Sequence, residues 1–162
     1  MLTSRLPALL LALFMLGGCA GSAERAEPIR QALLGLGSSA AQQIGAVDAL
    51  QPLEQQLLLL AAPEVDAELG LGVERVRESL TRALLGIAAP GPQVLDWRPD
   101  MADSTDPYQW RLESRLEASA PRLVLSDREL LPYRLTLTLL RPDDDTALWE
   151  THIDGAFDAT AL

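Results

Sequence analysis

The chain has 162 residues, with 23 acidic and 13 basic side chains, a formal charge of −10 at pH 7, one cysteine and one histidine. One cysteine excludes an internal disulfide and a cysteine-built zinc site, and one histidine excludes a two-histidine metal site. The basic residues are all arginine and form no cluster, so nothing here is built to hold nucleic-acid phosphates, while 48% hydrophobic residues exclude wholesale disorder.

The first segment reads Met-Leu-Thr-Ser-Arg, then an apolar stretch over 6–16, then Leu16-Gly17-Gly18-Cys19. The apolar stretch suits a secretory leader and is well short of the roughly 20 residues that span a bilayer. LGGC resembles the bacterial lipobox. That resemblance implies that 1–18 are a lipoprotein signal peptide and that Cys19 becomes the first mature residue and carries lipid. An anchor of several acyl chains exceeds the two-signal threshold for stable attachment. Ala20 after the cysteine, in place of an aspartate, implies sorting to the outer membrane, with the domain facing the periplasm.

Residues 19–28 are small and polar, as in a short flexible tether. Pro28 suits the first turn of a helix. Ile29, Leu33, Leu36, Ala40, Ile44 and Val47 follow at spacings of three and four, which predicts an amphipathic helical segment over 29–50. Gly35, Gly37, Ser38 and Ser39 weaken it, and a break is expected near Gly37. The apolar stripe reads as cover for a domain core. The alternative, a helix bound to a partner or a membrane surface, lacks the usual basic polar face.

The domain itself is expected over 51–162. The run Leu57-Leu58-Leu59-Leu60, ended by Pro63, reads as a strand buried on both faces, with a helix as the alternative. Val73, Val76, Leu80, Leu84 and Ile87 form a helical stripe opposed by Glu74, Arg75, Arg77, Glu78 and Arg82, and Pro90-Gly91-Pro92 stops it. A strand over 93–97 follows. From 108 to 118 the chain alternates, with Trp110, Leu112, Leu116 and Ala118 on one face and Arg111, Glu113, Arg115 and Glu117 on the other; Ser114 interrupts the apolar side. Residues 122–126 read either as a short strand or as part of a hairpin connection. Tyr133, Leu135, Leu137 and Leu139 alternate with Arg134, Thr136 and Thr138, and an acidic turn at Asp143-Asp144-Asp145 leads to a return strand through Trp149, Thr151 and Ile153.

The aromatic residues beyond the leader (Trp97, Tyr108, Trp110, Tyr133, Trp149 and Phe157) are expected to anchor the core from the sheet half. The order strand, helix, strand, then antiparallel hairpin strands gives an α+β domain of two layers with a mixed sheet, preceded by an N-terminal helical segment. In this order the strings VERVRESLTRALL, PQVLDW, YQWRLESRLEAS and YRLTLTLLRPDDDTALWETHIDG resemble the LpoB-type lipoprotein activators of penicillin-binding proteins, whose domain is similar to the N-terminal domain of TolB. The resemblance implies a TolB N-terminal-like domain over 51–162 and a penicillin-binding protein as partner. It differs from that family at 98–107, where RPDMADSTDP makes an acidic loop in place of a helix, and in its short tether.

No residue set selects a reaction. Asp96, Asp100, Asp103 and Asp106 crowd one loop and Asp143, Asp144 and Asp145 another, without calcium-loop spacing or glycine. His152 lies on an alternating strand with no nucleophile elbow nearby, and no glycine-rich phosphate loop calls for a nucleotide cofactor. The chain therefore reads as non-enzymatic. The polar strand face, Arg111, Arg115 and Arg134 with Glu113 and Glu117, is the candidate protein-interaction surface. The expected function is that of an outer-membrane lipoprotein whose domain binds another envelope protein, in the activator case a peptidoglycan synthase. The alternative is a periplasmic lipoprotein that binds a small ligand or cell-wall fragment in an apolar pocket.

Overall fold

The computed structural model describes residues 23–87 and 89–161. The leader 1–18, the lipidation site Cys19 and the start of the tether lie outside the described residues. Helix α1 spans Ala23–Gly45, and two short 3-10 turns, Asp48–Leu50 and Leu53–Gln55, lead into strand β1 at Leu57–Leu60. Strand β2 is Glu64–Val65, helix α2 is Val73–Leu85, β3 is Gln93–Asp96 and β4 is Gln109–Ala118. The chain then forms β5 at Leu123–Val124, β6 at Glu129–Leu140, β7 at Trp149–Asp158 and a terminal turn at Ala159–Ala161.

The seven strands make one mixed sheet. β1 lies parallel to both β3 and β4, with Leu58 level with Val94 on one side and Trp110 on the other. Strand β2 extends the line of β1 along β4, and β6 runs antiparallel to β4, β5 and β7. Residues 133–139 of β6 pair with β4 and with β7, so β7 is the outer strand on that side. The four leucines of β1 suit a parallel strand with neighbours on both edges and little solvent on either face.

Alternation decides which face receives the helices. Trp110, Leu112 and Leu116 of β4, Leu135, Leu137 and Leu139 of β6 and Phe157 of β7 are all buried and meet Leu33, Leu36, Ala40 and Ile44 of α1 and Val76, Leu80 and Leu84 of α2. The result is the two-layer α+β architecture. A buried polar contact ties the start of β1 to β4: the Trp110 indole donates to Gln56 Oε1 at 2.9 Å, and the Gln56 amide reaches the Pro52 carbonyl at 3.3 Å. An indole N–H buried in such a place needs an acceptor. None of the helices among the described residues is long and apolar enough to cross a membrane.

Three expectations are corrected. First, the N-terminal helix neither begins at 29 nor breaks at Gly37. It starts at Ala23, inside the expected tether, runs through Pro28 and Gly37 and ends at Gly45. The reason is tertiary: a Cβ on Gly37 would stand 2.7 Å from Ser79 Oγ, 2.8 Å from the Ser79 carbonyl oxygen and 3.2 Å from Ala83 Cβ. Glycine there is the contact at which the helices approach, and the Ser79 hydroxyl donates to the Leu33 carbonyl across the same gap. Packing overrides the propensity cost of a helical glycine. Second, the aromatic residues are not all core anchors. Trp110, Tyr133 and Phe157 are buried, the last two stacked at 4.3 Å, whereas Tyr108 is an exposed residue and the core is mostly leucine. Third, β2 follows Pro63, where the sequence pattern showed no strand, because Glu64 and Val65 pair with Arg115 and Leu116.

Gly37→Ala is expected to lower the unfolding free energy by about 1–3 kcal/mol, the usual cost of overpacking. Gly35→Ala, at a helical site where a Cβ meets nothing within 4 Å, should raise it by about 0.5–1 kcal/mol. Urea denaturation of the two variants checks both signs; equal shifts would show that the helices do not meet at Gly37.

Candidate interaction face

The helices occupy one face of the sheet and leave the other to side chains of the opposite parity. Register brings these together: Glu113 is level with Thr138 and Glu150, Arg115 with Thr136 and His152, and Glu117 with Arg134 and Asp154. Glu64 joins them from β2, opposite Arg115. The five residues singled out from the sequence, Arg111, Glu113, Arg115, Glu117 and Arg134, therefore share one face, but they do not share one environment.

Arg111 is mostly buried. Its guanidinium lies 5.6 Å from the centre of the Trp97 ring, donates to Asp145 Oδ1 at 2.6 Å and has Glu113 Oε1 3.1 Å from its Nε. Asp145 belongs to the acidic turn between β6 and β7, so this contact folds the turn over the lower end of the sheet. Leu59 and Leu140, of the same parity, are buried beneath it. Arg111 is thus a structural cation at the rim, not an exposed contact residue, because a side chain only 11% exposed has its charge already matched inside the fold.

Above this rim the face is open. Arg115 Nε pairs with Glu64 at 2.7 Å, and Arg134 makes a two-pronged contact with Asp154 at 2.8 and 3.2 Å. Thr136 Oγ1 lies 3.1 Å from His152 Nδ1. Arg115, Thr136 and His152 line a shallow groove of ≈ 410 Å³ with Glu64, Glu113, Glu117, Thr138 and Glu150. Exposed ion pairs of this kind are each worth about 0–1 kcal/mol, so a partner that offers its own charges can replace them at small cost. The hydrogen bonds from Arg134 hold the Asp154 carboxyl below the usual carboxylate range, and the same contact raises the Arg134 guanidinium.

The acidic loops found in the sequence serve the backbone. Asp106 Oδ1 accepts from the Tyr108 N–H and Asp144 Oδ1 from the Thr146 N–H, each at two residues' distance. Such turns are the ordinary use of aspartate in loops. Among the described residues no three His, Cys, Asp or Glu side chains converge as a metal-binding group. Sequence reasoning missed Glu64 and Asp154 and read Asp145 only as part of an acidic turn, not as the partner of Arg111. No sequence signal marks Glu64, which arrives from a two-residue strand; Asp154 stands two residues beyond His152 on the same strand parity and was legible in principle.

No family model matches the chain, and no curated protein matches it. Among solved structures it is similar to lipoprotein GNA1162 from Neisseria meningitidis, at 9% identity and a TM-score of 0.44 over 65% of this chain and 85% of that one. It is also similar to protein XCC0632 from Xanthomonas campestris, of the DUF330 family, at 13% identity and a TM-score of 0.42 over 67% of this chain and 71% of that one. At such scores neither likeness bears on function.

Two measurements separate the rim from the open face. Arg111→Ala should destabilise by about 1–3 kcal/mol, since it removes a mostly buried side chain packed against Trp97, whereas Arg115→Ala, at a side chain 56% exposed, should change stability by no more than about 0.5 kcal/mol. Thermal denaturation compares them. In an NMR titration Asp154 should ionise below the usual value of about 3.9 and return towards it in Arg134→Gln. Because the folded-state value is depressed, the contact contributes stability above the unfolded value and loses it as pH falls through the folded one.

Proposed function

We propose that the chain is an outer-membrane lipoprotein, anchored through lipidated Cys19, that acts as a non-enzymatic interaction module for another envelope protein. The observation that carries this reading is the uncovered sheet face. One side of the sheet is closed by α1 and α2, while the other presents register-aligned, exposed ion pairs around Arg115 and Arg134. Arginine on a solvated, weakly paired face is well placed to contribute to an interface. Five carboxylates surround the two exposed arginines there (Glu64, Glu113, Glu117, Glu150 and Asp154), so the complementary partner surface carries net positive charge.

The finer reading is activation of a peptidoglycan synthase of the penicillin-binding type, supported by the resemblance of the strand and hairpin strings to the LpoB-type activators. The position of α1 bears on its geometry. Ile29 already packs on the core, so at most ten residues separate Cys19 from the folded domain, and six of these fall within the helix that starts at Ala23. The free reach is then about 25 Å from the anchor. A synthase rooted in the opposite membrane must therefore extend its own periplasmic part to this domain. The rival reading, a small ligand or cell-wall fragment, would use the groove lined by Arg115, Thr136 and His152.

Photo-crosslinking in cells tests the face. A crosslinker replacing Glu117 or Thr138 is expected to trap one envelope protein, and the same group at Arg75 on α2 should not. Charge reversal of the face (Arg115→Glu with Arg134→Glu) should abolish the adduct. A captured penicillin-binding protein whose glycan polymerisation rate rises with the purified lipoprotein supports the activator reading. Equal labelling from the face and from α2 would remove the proposal.

A further inference from the structure

Leu123, Val124 and Leu125 are consecutive large apolar residues that are 49%, 73% and 48% exposed. Runs of this kind are normally avoided on a soluble surface unless they bind something. Leu123 and Val124 form the β5 arm of the β5–β6 hairpin and Leu125 opens its turn, which runs through Ser126, Asp127 and Arg128 and is closed by the Leu125 N–H donating to the Arg128 carbonyl at 2.8 Å; this end of the hairpin is its tip. The neighbouring charges nearly cancel: Arg122 pairs with Glu129 at 2.9 Å and Arg128 with Asp127 at 3.0 Å, which leaves Asp158, level with Leu130, as one further carboxylate. In a chain of net charge −10 this is an apolar patch among charges that are largely matched.

Its place in the fold is definite. β5 pairs with the start of β6, beyond the C-terminal end of β4, and Leu130 is level with Asp158 at the end of β7. Helix α2 joins β2 to β3, so it starts near the C-terminal end of β4 and returns to the other. α1 runs alongside in the same direction, with Leu33 and Gly37 at Ser79 and Gly45 at Ile87. The N-terminal end of α1 is therefore at the same end of the domain as the hairpin, beside the terminal turn that α1 also contacts. Ala23, the first residue of α1, is four residues from Cys19, a span of at most about 14 Å.

From this juxtaposition we infer that the Leu123-Val124-Leu125 tip inserts into the bilayer that holds the anchor, and so sets the orientation of the domain on the membrane. The inference rests on the lipid anchor proposed for Cys19. Lipid is the occupant that the observations favour, because the patch is apolar, its neighbouring charges are largely paired, and it lies at the end of the domain that a short span of chain ties to the residue proposed to be acylated. With the tip in the bilayer, the strand edges and the open face stand upright to it, and the Tyr108 end of β4 points away into the periplasm.

The test uses the full chain, expressed with its leader, recovered from membranes and reconstituted into phosphatidylethanolamine and phosphatidylglycerol vesicles with brominated acyl chains. Val124→Trp adds a tryptophan at the tip, and Tyr108→Trp adds one at the opposite, exposed end. After subtraction of the parent emission, the tip tryptophan is expected to lose its emission to the brominated chains while the Tyr108→Trp signal remains. Mass spectrometry of the same samples reads the lipid on Cys19 separately. Lipidated protein with an unquenched tip overturns the inference and leaves the anchor standing. A quenched tip on unmodified Cys19 removes the anchor reading and overturns the inference as stated, which places the tip in the bilayer that holds the anchor. An unquenched tip on unmodified Cys19 overturns both.

Discussion

The close approach of α1 and α2 at Gly37 and Ser79 governs the rest of the architecture. At that point there is no room for a Cβ on α1, and the Ser79 hydroxyl bridges to the Leu33 carbonyl. The approach brings Leu33, Leu36, Ala40 and Ile44 down onto the sheet beside Val76, Leu80 and Leu84, so that the leucine layer is closed on one side by helices from two distant parts of the chain. Without α1, much of the apolar surface of β6 and β7 would face water, at a cost of about 25 cal/mol for each Å² exposed. The N-terminal helix is therefore part of the domain and not a spacer in front of it.

Two consequences follow for how the molecule can work. Because α1 is docked, little chain is left between Cys19 and the folded body, so the lipid proposed at Cys19 would hold the domain within a few tens of ångströms of the membrane. Because both helices lie on one face, the other face carries only strand side chains, closed at its lower end by Arg111, Trp97 and Asp145 and open above. The open part is held by weak, exchangeable ion pairs. A face of this kind favours charge-guided recognition over deep ligand burial.

Period was the readable signal. The alternation of β4 and β6 and the three-and-four spacing of α2 were plain because each element buries one face and wets the other, and the elements found match those strings closely. The same rule placed Arg111, Glu113, Arg115, Glu117 and Arg134 on a common face, since strand parity is a local property. What parity could not reveal was that Arg111 lies under Trp97 and Asp145, residues from a different strand end and a turn. Gly37 failed for a similar reason: read locally it is a helix breaker, and only a neighbour from α2 turns it into a packing site.

The sequence by itself thus determined the α+β class and the parity of β4 and β6, both written in short-range patterns of apolar and polar residues. The tertiary structure alone decided that the helix begins ahead of Ile29, which arginine is buried and which are exposed, and that an apolar hairpin tip shares an end of the domain with the start of α1. Those outcomes depend on contacts between residues far apart in the chain, such as Leu33 with Ser79 and Arg111 with Asp145, where many pairings satisfy the same local pattern and only the shape of the packed core selects among them.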